Sequence, residues 1–435
     1  MIIYGDSINE LKQFNDNYFD SVVTDPPYGL SACTEKHIRE ALKCWLEGES
    51  YSPSGPGFMG KDWDSFVPGP ELWGEVFRVL KPGGHALVFA GSRTQDLMGL
   101  ALRLAGFEVR DILQWIYGSG FPKSHNVALS IDKLNGGENR GRAIPRASSY
   151  QASDQDQRHK LTSNPVEAYQ AKSEESQNYQ GWGTALKPAY EPILLVRKPL
   201  IGTVAKNVIE HGTGGLNIDG CRIPLKEGES TFVQPRSKEG AKGSGGWANQ
   251  SAQTGSMNRD CEKGRWPANV ILDDQASAIL DHQSGHQKSG IAGENSRSWG
   301  VGEGQINSWQ SYNSAGYQDK GGASRFFFTP KASKGEKNAG VKDKNTHVTV
   351  KPIDLMKYLI RLITPPNGIV LEPFAGSGTT LCAAVQGGFD FVGIEREAEY
   401  IPIIKQRVKY WSGYTYEIEE ETDEDQPQPD QMTLF

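Results

Sequence analysis

One stretch near the carboxyl end, residues 369–387, constrains the fold of the chain more than any other. It reads IVLEPFAGSGTTLCAAVQG, an apolar run that meets two glycines, Gly376 and Gly378, and continues as a helical pattern. An apolar strand that turns sharply into a helix is the repeating unit of parallel α/β sheets. The two glycines leave bare backbone beside the helix amino terminus, where a ligand can approach. The stretch therefore predicts an α/β sheet with a ligand site at this turn.

The same α/β alternation occurs at both ends of the chain and is interrupted between them. Residues 1–30 read strand, helix, strand, and two helices and three strands follow in GPELWGEVFRVL, LKPGGHALVFAGS, TQDLMGLALRLAG, FEVRDILQWIYG and EPILLVRK. Residues 346–412 return to the pattern with the helices KPIDLMKYLIRLI and AEYIPIIKQRVKYW. Between them, residues 201–345 are rich in Gly, Ser, Gln and Asn, with isolated ordered islands such as RWPANVILDD and ASRFFFTPKAS. The economical interpretation is one α/β domain made from both chain ends around an irregular insert.

A carboxylate on the next strand is placed as in sheets that bind nucleosides. Glu395 closes the apolar run FVGIE nineteen residues beyond Gly376, where a carboxylate can accept hydrogen bonds from both ribose hydroxyls. The dinucleotide pattern needs a third glycine at the position of Leu381, and no Gly-Lys-Ser/Thr follows for a phosphate loop. A glycine turn without phosphate-binding features fits S-adenosylmethionine, whose ligand end is an amino acid and a sulfonium. A tight turn without a ligand is the alternative.

The most specific chemical signal is Asp25-Pro26-Pro27-Tyr28, which ends the buried run FDSVVT. Two consecutive prolines fix the backbone and direct carbonyl groups out of the sheet. An adenine or cytosine amine is a poor nucleophile because its lone pair is delocalised into the ring. Asp25 and the Pro26 carbonyl could accept its two N–H bonds, while Tyr28 stacks on a base rotated out of the duplex. These four residues are the candidate catalytic residues; a rigid turn after a strand is the alternative.

The cysteines argue against two other kinds of chemistry. None follows a proline, which disfavours the ring-carbon methylation of cytosine that uses a cysteine nucleophile. They are scattered without a CxxC pair or a Cys/His cluster, so we expect no metal site. We also expect the protein to reside in a reducing cytoplasm. The five are Cys33, Cys44, Cys221, Cys261 and Cys382.

The two motifs, with Asp-Pro-Pro-Tyr first and Phe-x-Gly-x-Gly last, resemble those of the beta-class amino-methyltransferases of DNA. The resemblance covers residues 1–30, 71–130, 184–200 and 345–411. It implies that Asp6 lies near the cofactor adenine and that Lys351, in Thr-Val-Lys-Pro, borders the methionine end. The alternatives are a helix cap for Asp6 and a solvated charge for Lys351. The family's usual His-Pro-Thr reads His347-Val-Thr here, which puts the role of His347 in doubt. The candidate cofactor-binding residues are Asp6, Lys351, Glu372, Phe374, Gly376, Ser377, Gly378, Thr379 and Glu395.

The resemblance implies a Rossmann-like α/β sheet of a SAM-dependent methyltransferase, with an inserted target-recognition domain. Residues 1–200 would form the catalytic half, with a polar insert at about 135–183 that is expected to be loop or partly disordered. Residues 201–345 would recognise the target, and residues 346–412 would form the cofactor half. The basic side chains among Ser, Asn and Gln suit DNA contacts. Those of the polar insert are Arg140, Arg142 and Arg146.

The expected activity is site-specific methylation of the N6 amine of adenine in double-stranded DNA. The family resemblance favours adenine, because Asp-Pro-Pro-Tyr is commoner in N6-adenine enzymes and Ser-Pro-Pro-Tyr-like versions in N4-cytosine ones. N4-cytosine methylation is the alternative, and RNA is a weaker candidate substrate. A DNA-binding protein that keeps the site without turnover is the alternative from another class.

Charge and the carboxyl terminus suggest partners. The formal charge is −7, but eight acidic residues and no basic one follow Lys409, so the rest of the chain is near neutral. Residues 413–435 form an acidic tail whose last residues include Gln431, Leu434 and Phe435, similar to the peptide that docks bacterial DNA enzymes onto the replicative sliding clamp. A tail that docks on its own domain or has no partner is the alternative, and a homodimer is left open. No apolar run reaches the roughly 20 residues of a membrane span, which favours a cytoplasmic, nucleoid-associated protein.

Overall fold

The structure is a computed structural model. It describes residues 1–30, 34–53, 64–120, 124–136, 169–225, 263–288, 320–331, 335–342, 344–347 and 349–413. The arginines proposed for the polar insert and all but the first residue of the acidic tail lie outside these ranges.

Eight strands of the described chain form one mixed sheet. In sequence order they are β1 (Ile2–Tyr4), β2 (Phe19–Thr24), β3 (Leu80–Phe89), β4 (Glu108–Ile116), β5 (Tyr190–Arg197), β6 (Val270–Leu272), β9 (Ile369–Glu372) and β10 (Asp390–Glu395). A separate two-stranded ribbon pairs β7 (Gln287–Lys288) with β8 (Lys320–Gly321).

The strand order is β1-β10-β9-β2-β3-β5-β4-β6. The pairs from β1 to β3 are parallel, β5 is antiparallel to both of its neighbours, and β6 is parallel to β4. Strands from the two ends of the chain therefore alternate within one sheet, which confirms the predicted α/β architecture. The antiparallel β5 begins at the edge where the parallel strands end.

Helices cover the sheet on both faces. They are α1 (Ser7–Leu11), α2 (Glu35–Glu47), α3 (Pro70–Val79), α4 (Gln95–Leu104), α5 (Val127–Leu134), α6 (Glu174–Gln177), α7 (Val204–His211), α8 (Asp274–Ser284), α9 (Ile353–Ile363), α10 (Thr379–Gly387) and α11 (Ile401–Trp411). Successive residues of β3 show why two layers form: Ala86 and Val88 pack in one apolar cluster, Leu87 and Phe89 in another. The first cluster includes side chains of α1, α3 and α4, and the second those of α9 and α10.

Most of the predicted elements are confirmed, and the structure adds others that were not assigned from the sequence. The additions are the helices α2, α5, α6, α7 and α8, the strand β6, and the ribbon of β7 and β8. The run 270–272 lies in the Gly- and Ser-rich insert, and it is only three residues long. It joins the sheet because β4 has an edge with unpaired backbone groups, and the local sequence of 270–272 does not indicate that such an edge is near.

Candidate active site

The two sequence motifs leave the sheet side by side. β2 ends at Thr24, directly before the Asp25 turn, and β9 ends at Glu372, directly before the glycine turn. The two strands are parallel neighbours, with Val22 opposite Leu371, so both motifs emerge at the same edge. A cavity of about 960 Å³ opens there. Of the candidate site residues, Asp6, Asp25, Pro26, Pro27, Tyr28, Lys351, Glu372, Phe374, Gly376, Ser377, Thr379 and Glu395 line it, whereas Gly378 does not.

Asp25 is held by a neighbour in its own turn, Tyr28, and by a side chain from a distant part of the sequence, Lys351. Lys351 Nζ lies 2.6 Å from Asp25 Oδ2, and the Tyr28 hydroxyl lies 2.7 Å from Asp25 Oδ1. Lys351 is only 8 % exposed, so it is not a solvated surface charge. Burial by itself lowers the pKa of an ammonium, but Asp25 and Glu191 outweigh it and keep the pKa of Lys351 above its usual value. The lysine is therefore a fixed positive charge beside the Asp25 carboxylate.

Glu191 is a member of this group that sequence reasoning missed. Its Oε2 lies 3.3 Å from Lys351 Nζ and 2.9 Å from the Tyr28 hydroxyl. It is the second residue of β5, and only the antiparallel direction of that strand brings its first residues to the catalytic edge. The sequence signal was a lone acid at the start of EPILLVRK, which is ordinary at a strand end. Burial and the two carboxylates raise the pKa of Tyr28 well above its usual value, so Tyr28 is a neutral phenol.

The backbone that follows Tyr28 is held by a second unanticipated carboxylate. Asp64 Oδ1 accepts a hydrogen bond of 2.8 Å from the Gly29 amide. Gly29 has φ +61°, and a Cβ there would lie 2.6 Å from the Val67 amide nitrogen, so only glycine fits without displacement. Asp64 is 7 % exposed, and burial raises its pKa despite the amide hydrogen bonds. The turn is thus held at the Gly29 backbone by Asp64 as well as at the Asp25 side chain by Lys351 and Tyr28.

The glycine turn is shaped by Glu395. Gly376 has φ +53°, and its amide donates to Glu395 Oε2 at 2.7 Å. Glu395 Oε1 accepts from the Glu397 amide at 2.7 Å. The carboxylate is 8 % exposed and burial raises its pKa. Because each carboxylate oxygen has two lone pairs, Glu395 can still accept hydrogen bonds from a ligand in the cavity.

Ser377 and Thr379 are held from inside the protein. Arg407 Nη1 of α11 donates to the Ser377 carbonyl at 2.7 Å, to Ser377 Oγ at 2.9 Å and to Thr379 Oγ1 at 3.0 Å. The Arg407 side chain is fully buried. Sequence reasoning did not single it out, because one arginine in a helix carries no local signal. These contacts fix the shape of the glycine turn.

Glu372 is a buried carboxyl group at the foot of the same turn. Its Oε1 accepts from Thr24 Oγ1 at 2.5 Å and from the Phe374 amide at 3.0 Å, and its Oε2 accepts from Thr380 Oγ1 at 2.6 Å. Burial raises its pKa to about 8, despite these hydrogen bonds. Glu372 therefore links β2, β9 and α10 where the two motifs begin.

Asp6 and His347 both line the cavity. Asp6 Oδ1 accepts from the Ile8 and Asn9 amides at 3.1 and 3.3 Å, so it caps α1 and lines the cavity as well. His347 stacks edge-on against Tyr400 at 4.8 Å, and its Nδ1 lies 2.6 Å from the Thr349 carbonyl oxygen. Burial lowers the pKa of His347. Asp6 is thus a helix cap that also lines the cavity, and its place near the cofactor adenine stays a prediction.

No group of three or more His, Cys, Asp or Glu side chains in the described ranges could hold a metal ion. No helix in these ranges is long and apolar enough to cross a bilayer.

Comparison with known proteins gives the family. The N6/N4 methyltransferase family model, described as DNA methylase, matches residues 19–406. The match spans most of the chain, and the chain belongs to this family of DNA methyltransferases. It is 22 % identical over 423 residues to the type II methyltransferase M.HindIII of Haemophilus influenzae, covering 91 % of this chain and 90 % of that one. It is 44 % identical over 71 residues to the DNA adenine methyltransferase YhdJ of Escherichia coli, covering 16 % of this chain and 24 % of that one.

Solved structures show a looser likeness. The cytosine-N4-specific PvuII DNA methyltransferase superposes with a TM-score of 0.42 at 13 % identity, over 93 % of this chain and 85 % of that one. The M1.HpyAVI–SAM complex superposes with a TM-score of 0.35 at 14 % identity, over 94 % and 97 %. These values are too low to carry a structural argument.

Proposed function

We propose that the protein transfers a methyl group from S-adenosylmethionine to the N6 amine of adenine in double-stranded DNA. One observation carries the proposal: the Asp25 turn and the glycine turn leave adjacent strands and line one cavity. A base and a cofactor can thus meet without either turn moving across the sheet. The family membership supplies DNA as the substrate class.

The residues of the cavity fit S-adenosylmethionine. Glu395 and the left-handed Gly376 provide acceptors and close backbone on one wall, suited to the nucleoside. Asp25, Glu191 and Lys351 also line the cavity and together carry a formal net charge of −1, which complements a sulfonium. When bound, the sulfonium supplies an electrophilic methyl group.

The amine is activated by acceptors and not by a covalent enzyme intermediate. Asp25 and the Pro26 carbonyl accept its two N–H bonds, which holds the nitrogen lone pair toward the methyl group. Tyr28 packs its ring against the base after the nucleotide has been rotated out of the duplex. Lys351 keeps the Asp25 carboxylate in place without neutralising it, because Glu191 shares the lysine charge.

Adenine is proposed over cytosine on the Asp-Pro-Pro-Tyr sequence, and N4-cytosine methylation is the second candidate, since both amines fit the same acceptors. The test uses the full chain, duplex DNA and tritiated S-adenosylmethionine, followed by mass analysis of the digested nucleosides. We expect N6-methyl-2′-deoxyadenosine from the wild type, a loss of about 10²-fold or more for Asp25→Ala, and an unchanged rate for the exposed control Asp96→Ala. N4-methylcytosine would establish the second candidate. An Asp25→Ala variant with the wild-type rate would refute the mechanism.

We also propose that the last residues, Gln431, Leu434 and Phe435, tether the enzyme to the replicative sliding clamp, which would place its action in the cytoplasm on replicating DNA. The apolar pair Leu434 and Phe435 in an acidic segment is suited by its side chains to an apolar pocket, and a tether raises the local concentration near DNA. Deleting residues 431–435 should abolish clamp binding in a surface-plasmon assay. Equal binding by the intact and truncated chains would refute it.

A further inference from the structure

The group formed by Asp25, Tyr28, Glu191 and Lys351 has five close polar contacts but only four protons to occupy them, three on the Lys351 ammonium and one on the Tyr28 hydroxyl. The Tyr28 hydroxyl lies 2.7 Å from Asp25 Oδ1 and 2.9 Å from Glu191 Oε2, but it has a single proton to donate. Lys351 Nζ lies 3.2 Å from the Tyr28 oxygen and can donate to it. The hydroxyl therefore connects two carboxylates and can pass a proton from one to the other.

The charge of the group points the same way. Two carboxylates and one ammonium leave a net charge of −1, and both Asp25 and Glu191 are less than a quarter exposed. One added proton makes the group neutral, which removes an uncompensated charge from a poorly solvated site. The methyl transfer releases one proton, because the amine nitrogen gains a carbon and must lose a hydrogen.

We infer that Glu191 is the final acceptor of this proton, which reaches it from Asp25 through the Tyr28 hydroxyl. The inference rests on the proposed function. The amine nitrogen forms a bond to the methyl carbon as the carbon–sulfur bond breaks, and the sulfur leaves as a thioether. The amine proton moves to Asp25 Oδ1, the proton of Asp25 moves to the Tyr28 oxygen, and the Tyr28 proton moves to Glu191 Oε2.

The proton leaves as the carbon–nitrogen bond forms, because a base amine that kept it would concentrate positive charge on a weakly basic nitrogen. The acceptor then affects the rate of methyl transfer and not only product release. Glu191 has 24 % of its side chain exposed, so it can return the proton to solvent after turnover.

Other ionisable groups near the relay do not offer a second route through Tyr28. Tyr117, at the end of β4, faces Glu191 and Lys351, and burial raises its pKa, so it is a neutral phenol. His347 interacts electrostatically with Asp25 and Lys351, but its Nδ1 contacts the Thr349 carbonyl oxygen and not Tyr28. Asp64 and Glu372 also interact electrostatically with Asp25, and their hydrogen bonds run to backbone amides and threonine hydroxyls.

The test measures single-turnover methyl transfer at saturating S-adenosylmethionine in water and in deuterium oxide. Glu191→Gln keeps an oxygen that can accept from Tyr28 and Lys351 but cannot take up a proton. Tyr28→Phe keeps the ring and removes the hydroxyl. Each variant should lower the rate by about 10²-fold, the usual size of an acid–base contribution. The double variant should be no slower than either single one, because each cuts the same relay.

The matched control is Glu175→Gln, the same change at an exposed residue of α6, which should leave the rate and its isotope effect unchanged. The wild type should transfer the methyl group faster in water than in deuterium oxide. In both relay variants this solvent isotope effect should be lost or altered. An unchanged rate for Glu191→Gln, or effects of the two substitutions that multiply, would overturn the relay. A wild type that transfers no methyl group would instead overturn the proposed function. Calorimetric titration with S-adenosylmethionine separates weaker binding from slower transfer, and a deficit confined to binding would also overturn the relay.

Discussion

The Lys351 ammonium and the Asp25 carboxylate are 326 positions apart in the sequence, and their charged atoms are 2.6 Å apart in the structure. Lys351 precedes α9 in the carboxyl-terminal part of the chain, whereas Asp25 follows the second strand of the sheet. Each is held by the element that its own sequence specifies. The contact therefore forms only when the two ends of the chain have assembled into one sheet.

Replacing Lys351 by Met should lower both stability and activity. It leaves Asp25 and Glu191 facing each other without a counter-charge, and removing one partner of a buried ion pair costs about 3–5 kcal/mol. Urea unfolding followed by circular dichroism measures this cost. Lys405→Met, at an exposed position of α11, should change the free energy of unfolding by less than about 0.5 kcal/mol. Equal effects of the two substitutions would show that the Lys351 pair contributes nothing.

Alanine at Gly376 should weaken cofactor binding and lower stability by about 1–2 kcal/mol, because φ is +53° and the new Cβ would lie 2.9 Å from His347 Nε2. Gly74→Ala is the matched control, since Gly74 lies in α3 and a Cβ there meets nothing within 4 Å. That change should stabilise the protein by about 0.5–1 kcal/mol. Titration with S-adenosylmethionine and urea unfolding measure the two properties. A Gly376→Ala variant that binds as the wild type does would contradict the role of the turn.

Glu372 should make stability depend on pH. Burial raises the pKa of its carboxyl group to about 8 in the folded protein, from an ordinary value of 4.5. The folded state then holds a proton that the unfolded state has lost, so the free energy of unfolding falls as pH rises from about 4.5 to about 8. Glu372→Gln should remove this dependence on pH. The free energy of unfolding of the variant should exceed that of the wild type by the largest amount near pH 8. Parallel pH profiles for the two proteins, measured by urea unfolding, would argue against a raised pKa.

Asp64→Ala should disturb the backbone of the catalytic turn at Gly29. It leaves the buried Gly29 amide without the acceptor now at 2.8 Å, which costs about 1–3 kcal/mol, and it frees the backbone after Tyr28. We expect a lower methyl-transfer rate together with a lower unfolding midpoint. Asp64→Asn keeps an acceptor oxygen, so it should retain most of the methyl-transfer rate and most of the unfolding midpoint of the wild type. If alanine and asparagine behave alike, the hydrogen bond to Gly29 does not position the turn.

The sequence by itself determined the parts of the protein that are local. The strand-turn-helix pattern at 369–387 and the Asp25 turn are short stretches whose conformation depends on apolar periodicity, glycine and proline, all of which can be read along the chain. Their order also identified the resemblance to a family, which the match over residues 19–406 confirms.

Only the tertiary structure decided which side chains complete the site. Glu191 reaches Tyr28 because β5 runs antiparallel to its neighbours, and Arg407 reaches the glycine turn because α11 packs behind it. Neither residue has a motif around it. A single charged side chain in a strand or helix acquires its partners through packing between separate segments, 163 positions apart for Glu191 and Tyr28 and 30 for Arg407 and Ser377, and no local pattern records that packing.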